Sequence, residues 1–263
     1  MKHILAIIIT VCVAFSVTGC TLLTGGDKES VTDYALHVLE ERYGEPFEYK
    51  APAGSSYSGT KTFLATCQSF GDKSILVQIT NFKDAETRVV QDNYLAVKYR
   101  DELNNRVASI VANTFGAARL TTCNSTGRTL PTGLLPTSTF EDYLKGNESL
   151  ISCAVVFPGS AFADNAQFYA LAKELVAAIP SGELSFIIGG IPDDEYAVIT
   201  DEDFRNRCLI GNVTGKAVLA RRDNKSEPTL RLLEETGENI YSLEGVLLEY
   251  TDPSTGLLVK VGA

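Results

Sequence analysis

Two acidic runs, Asp193-Asp194-Glu195 and Asp201-Glu202-Asp203, bracket a short apolar segment. Paired carboxylates can divide the acid and base roles of glycoside hydrolysis or offer the oxygen ligands that calcium takes. Each run also has a structural explanation. Thr200-Asp201-Glu202-Asp203 reads as a capping box that opens a helix to Ile210, where acidic side chains suit the positive helix end. Asp193, Asp194 and Glu195 follow Gly189-Gly190-Ile191-Pro192 and read as a turn; they form the candidate acidic site of a carboxylate-using hydrolase. Ser160 stands where a strand passes into a helix, as a hydrolase nucleophile would. Its surroundings, Phe157-Pro158-Gly159-Ser160-Ala161-Phe162, lack the G-x-S-x-G elbow. A serine also needs a base, and beyond the first 19 residues the chain has a single histidine, His37. His37 lies off the apolar stripe of its helix, so Ser160 reads as a helix N-cap. The stretch Gly54-Ser55-Ser56-Tyr57-Ser58-Gly59-Thr60-Lys61-Thr62 has one residue too many for a P-loop and runs into a strand, where a P-loop needs a helix. It reads as a Gly/Ser turn. No catalytic residue, metal-ligand set or cofactor motif is assigned.

The elements that must carry these residues follow from periodicity and punctuation. Ser30-Val31-Thr32-Asp33 is a capping box for an amphipathic helix that Gly44 stops. Thr60–Cys67 alternates Phe63, Ala65 and Cys67 against Thr62, Leu64 and Thr66, and Ser74–Phe82 places Ile75, Val77 and Ile79 on one face. Both read as strands, joined by a turn at Phe70-Gly71-Asp72-Lys73. A shorter strand follows at Thr87–Gln91. Asp92-Asn93 then caps one long helix to about Phe115, striped by Leu95, Tyr99, Leu103, Val107 and Val111. A Thr/Gly/Pro-rich stretch over 125–137 reads as a linker or long loop. Beyond it, Leu150–Phe157, a helix to about Ile179 and Glu183–Gly189 suggest a parallel crossover unit. The tail from Lys216 reads as strands turning at Asp223-Asn224 and Asp252-Pro253. The expected class is α+β. Residues 30–124 make an N-terminal lobe with an antiparallel sheet flanked by amphipathic helices, and residues 138–263 make a mixed α/β C-terminal lobe.

The N-terminus carries a different kind of chemistry. Lys2 precedes an apolar run, Ile4 to Val17, of about 14 residues, short of the roughly 20 that a membrane span needs. The run ends in Val17-Thr18-Gly19-Cys20. Small residues before the cut suit a signal peptidase, and Val17-Thr18-Gly19-Cys20 resembles the lipobox of bacterial lipoproteins, which implies cleavage between Gly19 and Cys20 and a diacylglyceryl group on the Cys20 sulfur. Residues 1–19 are then a lipoprotein signal peptide, and residues 20–29 an anchor with a flexible tether of roughly 15–18 Å r.m.s. reach. Two acyl chains give stable anchoring where one does not. The expected location is the extracytoplasmic face of the cell membrane.

Charge and cysteines narrow the partners. The chain has 23 Lys and Arg against 33 Asp and Glu; without the signal peptide Lys2 is lost, leaving 22 against 33, or −11. That excess disfavours nucleic acid, which selects basic surfaces, and adsorption to anionic lipid. Membrane association must therefore come from the lipid on Cys20, while a protein, peptide or small-ligand partner stays unidentified. Cys67, Cys123, Cys153 and Cys208 remain beside Cys20. An oxidising compartment permits disulfides among them. Cys67, Cys153 and Cys208 sit at inward positions, so buried thiols are the alternative.

The helix Tyr34-Ala35-Leu36-His37-Val38-Leu39-Glu40-Glu41-Arg42-Tyr43-Gly44 and the segment Asp92-Asn93-Tyr94-Leu95-Ala96-Val97-Lys98-Tyr99 resemble those of uncharacterised surface lipoproteins of Gram-positive, clostridia-like bacteria. The resemblance covers residues 1 to about 115 and implies a single-membrane cell. It carries no activity, so it transfers no catalytic residue.

Overall fold

A computed structural model describes residues 30–54, 59–120, 124–126, 134–146, 150–200, 203, 214–223, 225–234 and 237–261. Gly19 and Cys20, the tether to Glu29, Cys123, Cys208, residues 55–58 and most of 125–137 lie outside them. The chain divides into two compact units, Met1–Tyr34 and Ala35–Ala263. In the first, the described residues form a capping turn. The Ser30 hydroxyl accepts from the Asp33 N–H at 3.1 Å and donates to the Asp33 carboxylate at 2.6 Å, as the capping box expects.

The architecture is α+β. Helix α1 (Val31–Tyr43) precedes a four-stranded antiparallel sheet in the order β1 (Phe47–Pro52), β2 (Thr60–Cys67), β3 (Ile75–Thr80), β4 (Val89–Asp92). The alternation seen in the sequence sets its faces. Phe63 pairs with Val77 and Ala65 with Ile75, and all four are fully buried together with Ile79. Val77 is also opposite Asp92, which extends the buried face onto a carboxylate.

The segment expected as one helix from Asp92 is two: α2 (Tyr94–Lys98) and α3 (Arg100–Phe115), broken at Tyr99. The break falls where the Tyr99 ring turns into the core. The ring is buried against Phe140 and Tyr143, and its hydroxyl donates to the Ser138 carbonyl at 2.5 Å. Asn93 is not a side-chain cap either. Its Oδ1 accepts from the Leu76 N–H at 2.7 Å, tying the chain to the sheet.

After β5 (Arg119–Leu120), β6 (Asn124–Thr126) and α4 (Phe140–Gly146), strand β7 (Leu150–Pro158), helix α5 (Ala166–Ala178) and strand β8 (Leu184–Ile191) form the expected crossover. β7 and β8 pair in parallel, from Ile151 opposite Leu184 to Pro158 opposite Ile191. A short helix α6 (Asp193–Tyr196) follows. Then β9 (Thr214–Arg221), β10 (Thr229–Glu234), β11 (Gly237–Ser242), β12 (Leu247–Thr251) and β13 (Leu258–Lys260) form an antiparallel meander. The whole is a nine-stranded sheet in the order β13-β12-β11-β10-β9-β8-β7-β5, with β6 also on β7. One row of paired residues crosses it: Leu120, Val155, Ile188, Ala217, Leu232, Asn239, Tyr250, Val259. Its first members join the main core with Val107, Val111 and Phe115 of α3 and Phe168, Leu171 and Leu175 of α5. Phe115 stacks on Phe157 with ring centroids 3.9 Å apart. The opposite face holds a smaller cluster of Ala154, Val156, Ile191 and Ile199. β7 is therefore buried on both sides from Cys153 to Phe157, which explains the apolar run there.

Two further expectations change. Ser160 is not the N-cap of α5. It lies in a 3-10 turn, Gly159–Ala161, and the residue before α5 is Asn165. Asp193-Asp194-Glu195 begins a short helix, not a turn.

Candidate functional site

The C-terminal ends of the parallel pair β7 and β8 bring together residues that the sequence singled out separately. In open α/β sheets the crevice beyond parallel strand ends is where ligands bind. Here Pro158 leads into the Gly159–Ala161 turn, and Pro192 leads into α6. The two loops touch so closely that a Cβ on Gly159 would stand 2.9 Å from the Ile191 carbonyl oxygen, so glycine is required there. That approach lets the Ser160 N–H donate to Asp193 Oδ1 at 3.1 Å across 33 residues of sequence. The Ser160 hydroxyl also bonds to this carboxylate, and both bonds hold the Asp193 carboxyl below the usual range. Arg119 closes the other side by donating to the Tyr196 carbonyl at 3.3 Å.

The chemistry available at this place is limited by those bonds. Asp193 and Asp194 are exposed and Glu195 is half-buried. A glycosidase acid needs a carboxyl pushed up so that it keeps its proton near neutral pH; Asp193 is pushed down. His37 stands elsewhere, exposed on α1 and 3.4 Å from Glu41, one helical turn away. Among the described residues no group of three or more His, Cys, Asp or Glu is placed to hold a metal ion. Thr200 and Asp203 form the expected capping box, the Asp203 N–H donating to the Thr200 hydroxyl at 3.2 Å and that hydroxyl to the Asp203 carboxylate at 2.6 Å. Asp201 and Glu202 lie outside the described residues.

The strongest polar cluster was not visible as a site in the sequence. Asp92 is 0% exposed and accepts from Arg42 Nη1, from the Tyr43 hydroxyl at 2.6 Å and from the Tyr94 N–H at 3.0 Å. Arg42 Nη2 donates to the Val90 carbonyl at 3.0 Å. The Tyr43 and Tyr94 rings stack with centroids 3.8 Å apart, and Phe70 packs on Tyr94 at 4.7 Å. Beside them the Tyr94 hydroxyl donates to Glu45 Oε1 at 2.9 Å, and the Ser69 N–H to Glu45 Oε2 at 3.0 Å. Burial alone would raise the Glu45 carboxyl. The bonds from Ser69, Tyr94 and Cys67 outweigh it and leave it below the usual range. Burial and the Asp92 charge push the Tyr43 hydroxyl far above its ordinary value. Burial, with the Glu45 charge behind it, pushes the Cys67 thiol up to about 11. The cluster fastens the C-terminal turn of α1 to the edge of the first sheet. The Tyr43, Phe70 and Tyr94 rings pack on one another, and the Asp92 carboxylate holds donors from α1 and from the start of α2. A signal existed: Asp92 shares strand parity with the buried Val90.

Cys67 and Cys153 are buried thiols. The Cys153 thiol donates to the Ala154 carbonyl at 3.6 Å.

No protein-family model matches the chain, and no curated protein matches it. Among solved structures, a crystal structure of a DUF5037 family protein from Ruminococcus gnavus aligns over 74% of this chain and 92% of its own, at 11% identity and a TM-score of 0.38. A likeness at that score carries no weight for fold or function. No helix among the described residues is long and apolar enough to cross a membrane.

Proposed function

We propose that the protein is held on the extracytoplasmic face of the cell membrane by a diacylglyceryl group on Cys20 and serves there as a binding or assembly module. The observation that carries this reading is Val17-Thr18-Gly19-Cys20 at the end of the apolar run Ile4 to Val17. A body of −11 formal charge is repelled by anionic lipid, so the acyl chains supply the attachment. The tether from Thr21 to Glu29, with an r.m.s. reach of roughly 15–18 Å, keeps the body close to the leaflet. A surface hydrolase acting through Asp193, Asp194 and Glu195 is the second reading. It is supported by their place beyond the parallel strand ends and weakened by the lowered Asp193 carboxyl. The test of the anchor is fractionation of cells expressing Cys20→Ala. Release of the variant from the membrane fraction, with the wild type retained, supports the reading; a variant that stays fully with membranes sinks it.

A further inference from the structure

The core-facing row of the nine-stranded sheet does not stop where the helices stop. It continues through Asn239 and Tyr250 to Val259 on the edge strand β13. Around that end the apolar residues are exposed: Val246 and Leu248 on or beside β12, and Leu257, Leu258, Val259 and Val261 on or beside β13. Of the ten large hydrophobic residues exposed among the described residues, these are six. Edge strands are ordinarily blunted by charge, proline or a bulge. This edge carries one charge, Lys260, which lies opposite Glu249 of β12 on the face away from the row.

The hydrogen-bond phase of the hairpin fixes which backbone groups remain open. The Val261 N–H donates to the Leu248 carbonyl at 2.9 Å, and the Asp252 N–H to the Leu257 carbonyl at 2.9 Å. Hydrogen-bonded pairs alternate along an antiparallel ladder. Leu257, Val259 and Val261 therefore turn their polar groups toward β12, while Leu258 and Lys260 turn theirs outward. An apolar hairpin could dip into lipid, but outward N–H and C=O groups would be stranded there at several kcal/mol each. Another strand would satisfy these outward groups and cover the apolar side chains beside them.

We infer that this strand is β13 of a second copy, paired antiparallel about a two-fold axis through Val259. In that register Leu258 lies opposite Lys260 of the second copy, and the two exchange both bonds. The same pair recurs across the axis, so all four outward groups of each strand are satisfied. Val259 meets its own counterpart at a non-hydrogen-bonded position, and Val261 meets Leu257. The two Lys260 residues are not opposite each other, and each lies opposite Glu249 of its own β12. Any shift of register by one residue would set outward groups against inward ones and lose the bonds. A three-residue edge buries less than the roughly 1,200 Å² of a stable interface. The pair is therefore weak in free solution and forms where chains are concentrated. The anchoring proposed above supplies that concentration, but the register does not depend on it.

The test uses the full chain in the membranes of expressing cells. Val259→Cys is oxidised with copper phenanthroline and run without reductant. Counterpart positions at a non-hydrogen-bonded site are about 4.5 Å apart between Cα atoms, within disulfide reach. A reducible dimer band is expected for Val259→Cys and not for Ser254→Cys, at the exposed hairpin turn. Adding Leu258→Pro to Val259→Cys removes an outward donor and leaves the bonds to β12 in place; the dimer band is expected to vanish. A Val259→Cys yield no greater than that of Ser254→Cys overturns the proposal, as does a band that survives Leu258→Pro. Fractionation of Cys20→Ala reads the anchor separately, so failure of either claim is recognised without the other.

Discussion

Replacing Asp92 with asparagine removes the charge from the center of the cluster that fastens α1 to the first sheet. Asp92 offers two carboxylate oxygens to three donors: Arg42, Tyr43 and the Tyr94 N–H. The amide introduced by Asp92→Asn would offer one oxygen and point an NH2 group at a remaining donor. Breaking a buried pair by removing one partner costs about 3–5 kcal/mol. The Arg42 side chain is 24% exposed, so water takes up part of its charge, and the lower end, about 3 kcal/mol, applies. With a urea m-value of about 2–3 kcal/mol/M, the unfolding midpoint of residues 30–263 should fall by about 1–1.5 M. Tyr43→Phe alone should cost about 1–2 kcal/mol for the lost hydroxyl bond to a charged acceptor. Made in the Asp92→Asn background it should cost about 1 kcal/mol less, because the two residues share one bond. A cost below about 1 kcal/mol for Asp92→Asn, or strict additivity of the two substitutions, would refute the view that this cluster holds α1 in place.

Arg221 is buried and donates from all three nitrogens to the Ile179, Pro180 and Gly182 carbonyls at 2.8–3.1 Å, closing the end of α5. Arg221→Met should cost about 2–4 kcal/mol in the same urea assay by orphaning those carbonyls. Gly159→Ala forces a Cβ to 2.9 Å from a backbone oxygen and should cost about 1–3 kcal/mol, with the Ser160–Asp193 contact loosened. Acid should destabilise the fold. Glu45, Asp142, Asp193 and Asp223 all have native carboxyls held below their ordinary values, so the unfolded chain binds more protons. Stability is present above the ordinary carboxyl range and is lost as pH falls through and below it. At the alkaline end the sign reverses. Cys67 rises from 9.0 to about 11, so its contribution is complete below pH 9.0 and is lost as pH rises toward 11. Thermal midpoints measured from acid to alkali should show a plateau between those limits, and a midpoint that climbs on acidification would contradict the assignment.

What was legible in the sequence was local. The alternation of Phe63, Ala65 and Cys67 set the first sheet, and the capping boxes at Ser30 and Thr200 placed their turns. The pattern from Leu150 to Gly189 gave the parallel crossover, because a doubly buried strand and a striped helix have distinct periods. What was not legible depended on residues distant in the chain. Tyr99 fits the helical stripe, and its packing on Phe140 and Tyr143 and its bond to Ser138, where the helix is interrupted, join residues some forty apart in the chain. Asp92 looks like a cap until Arg42, fifty residues earlier, is seen beside it. Ser160 and Asp193 meet because β7 and β8 end side by side, and that depends on pairing. The uncovered end of the core row at Val259 is visible only once the sheet order is known.

The central claim is the lipid on Cys20, and the mass of the N-terminal peptide of the protein recovered from the membrane fraction tests it most directly. A peptide beginning at Cys20 and carrying a diacylglyceryl thioether is the expected result. An unmodified Cys20, or a membrane-bound chain that still begins before it, would contradict the account.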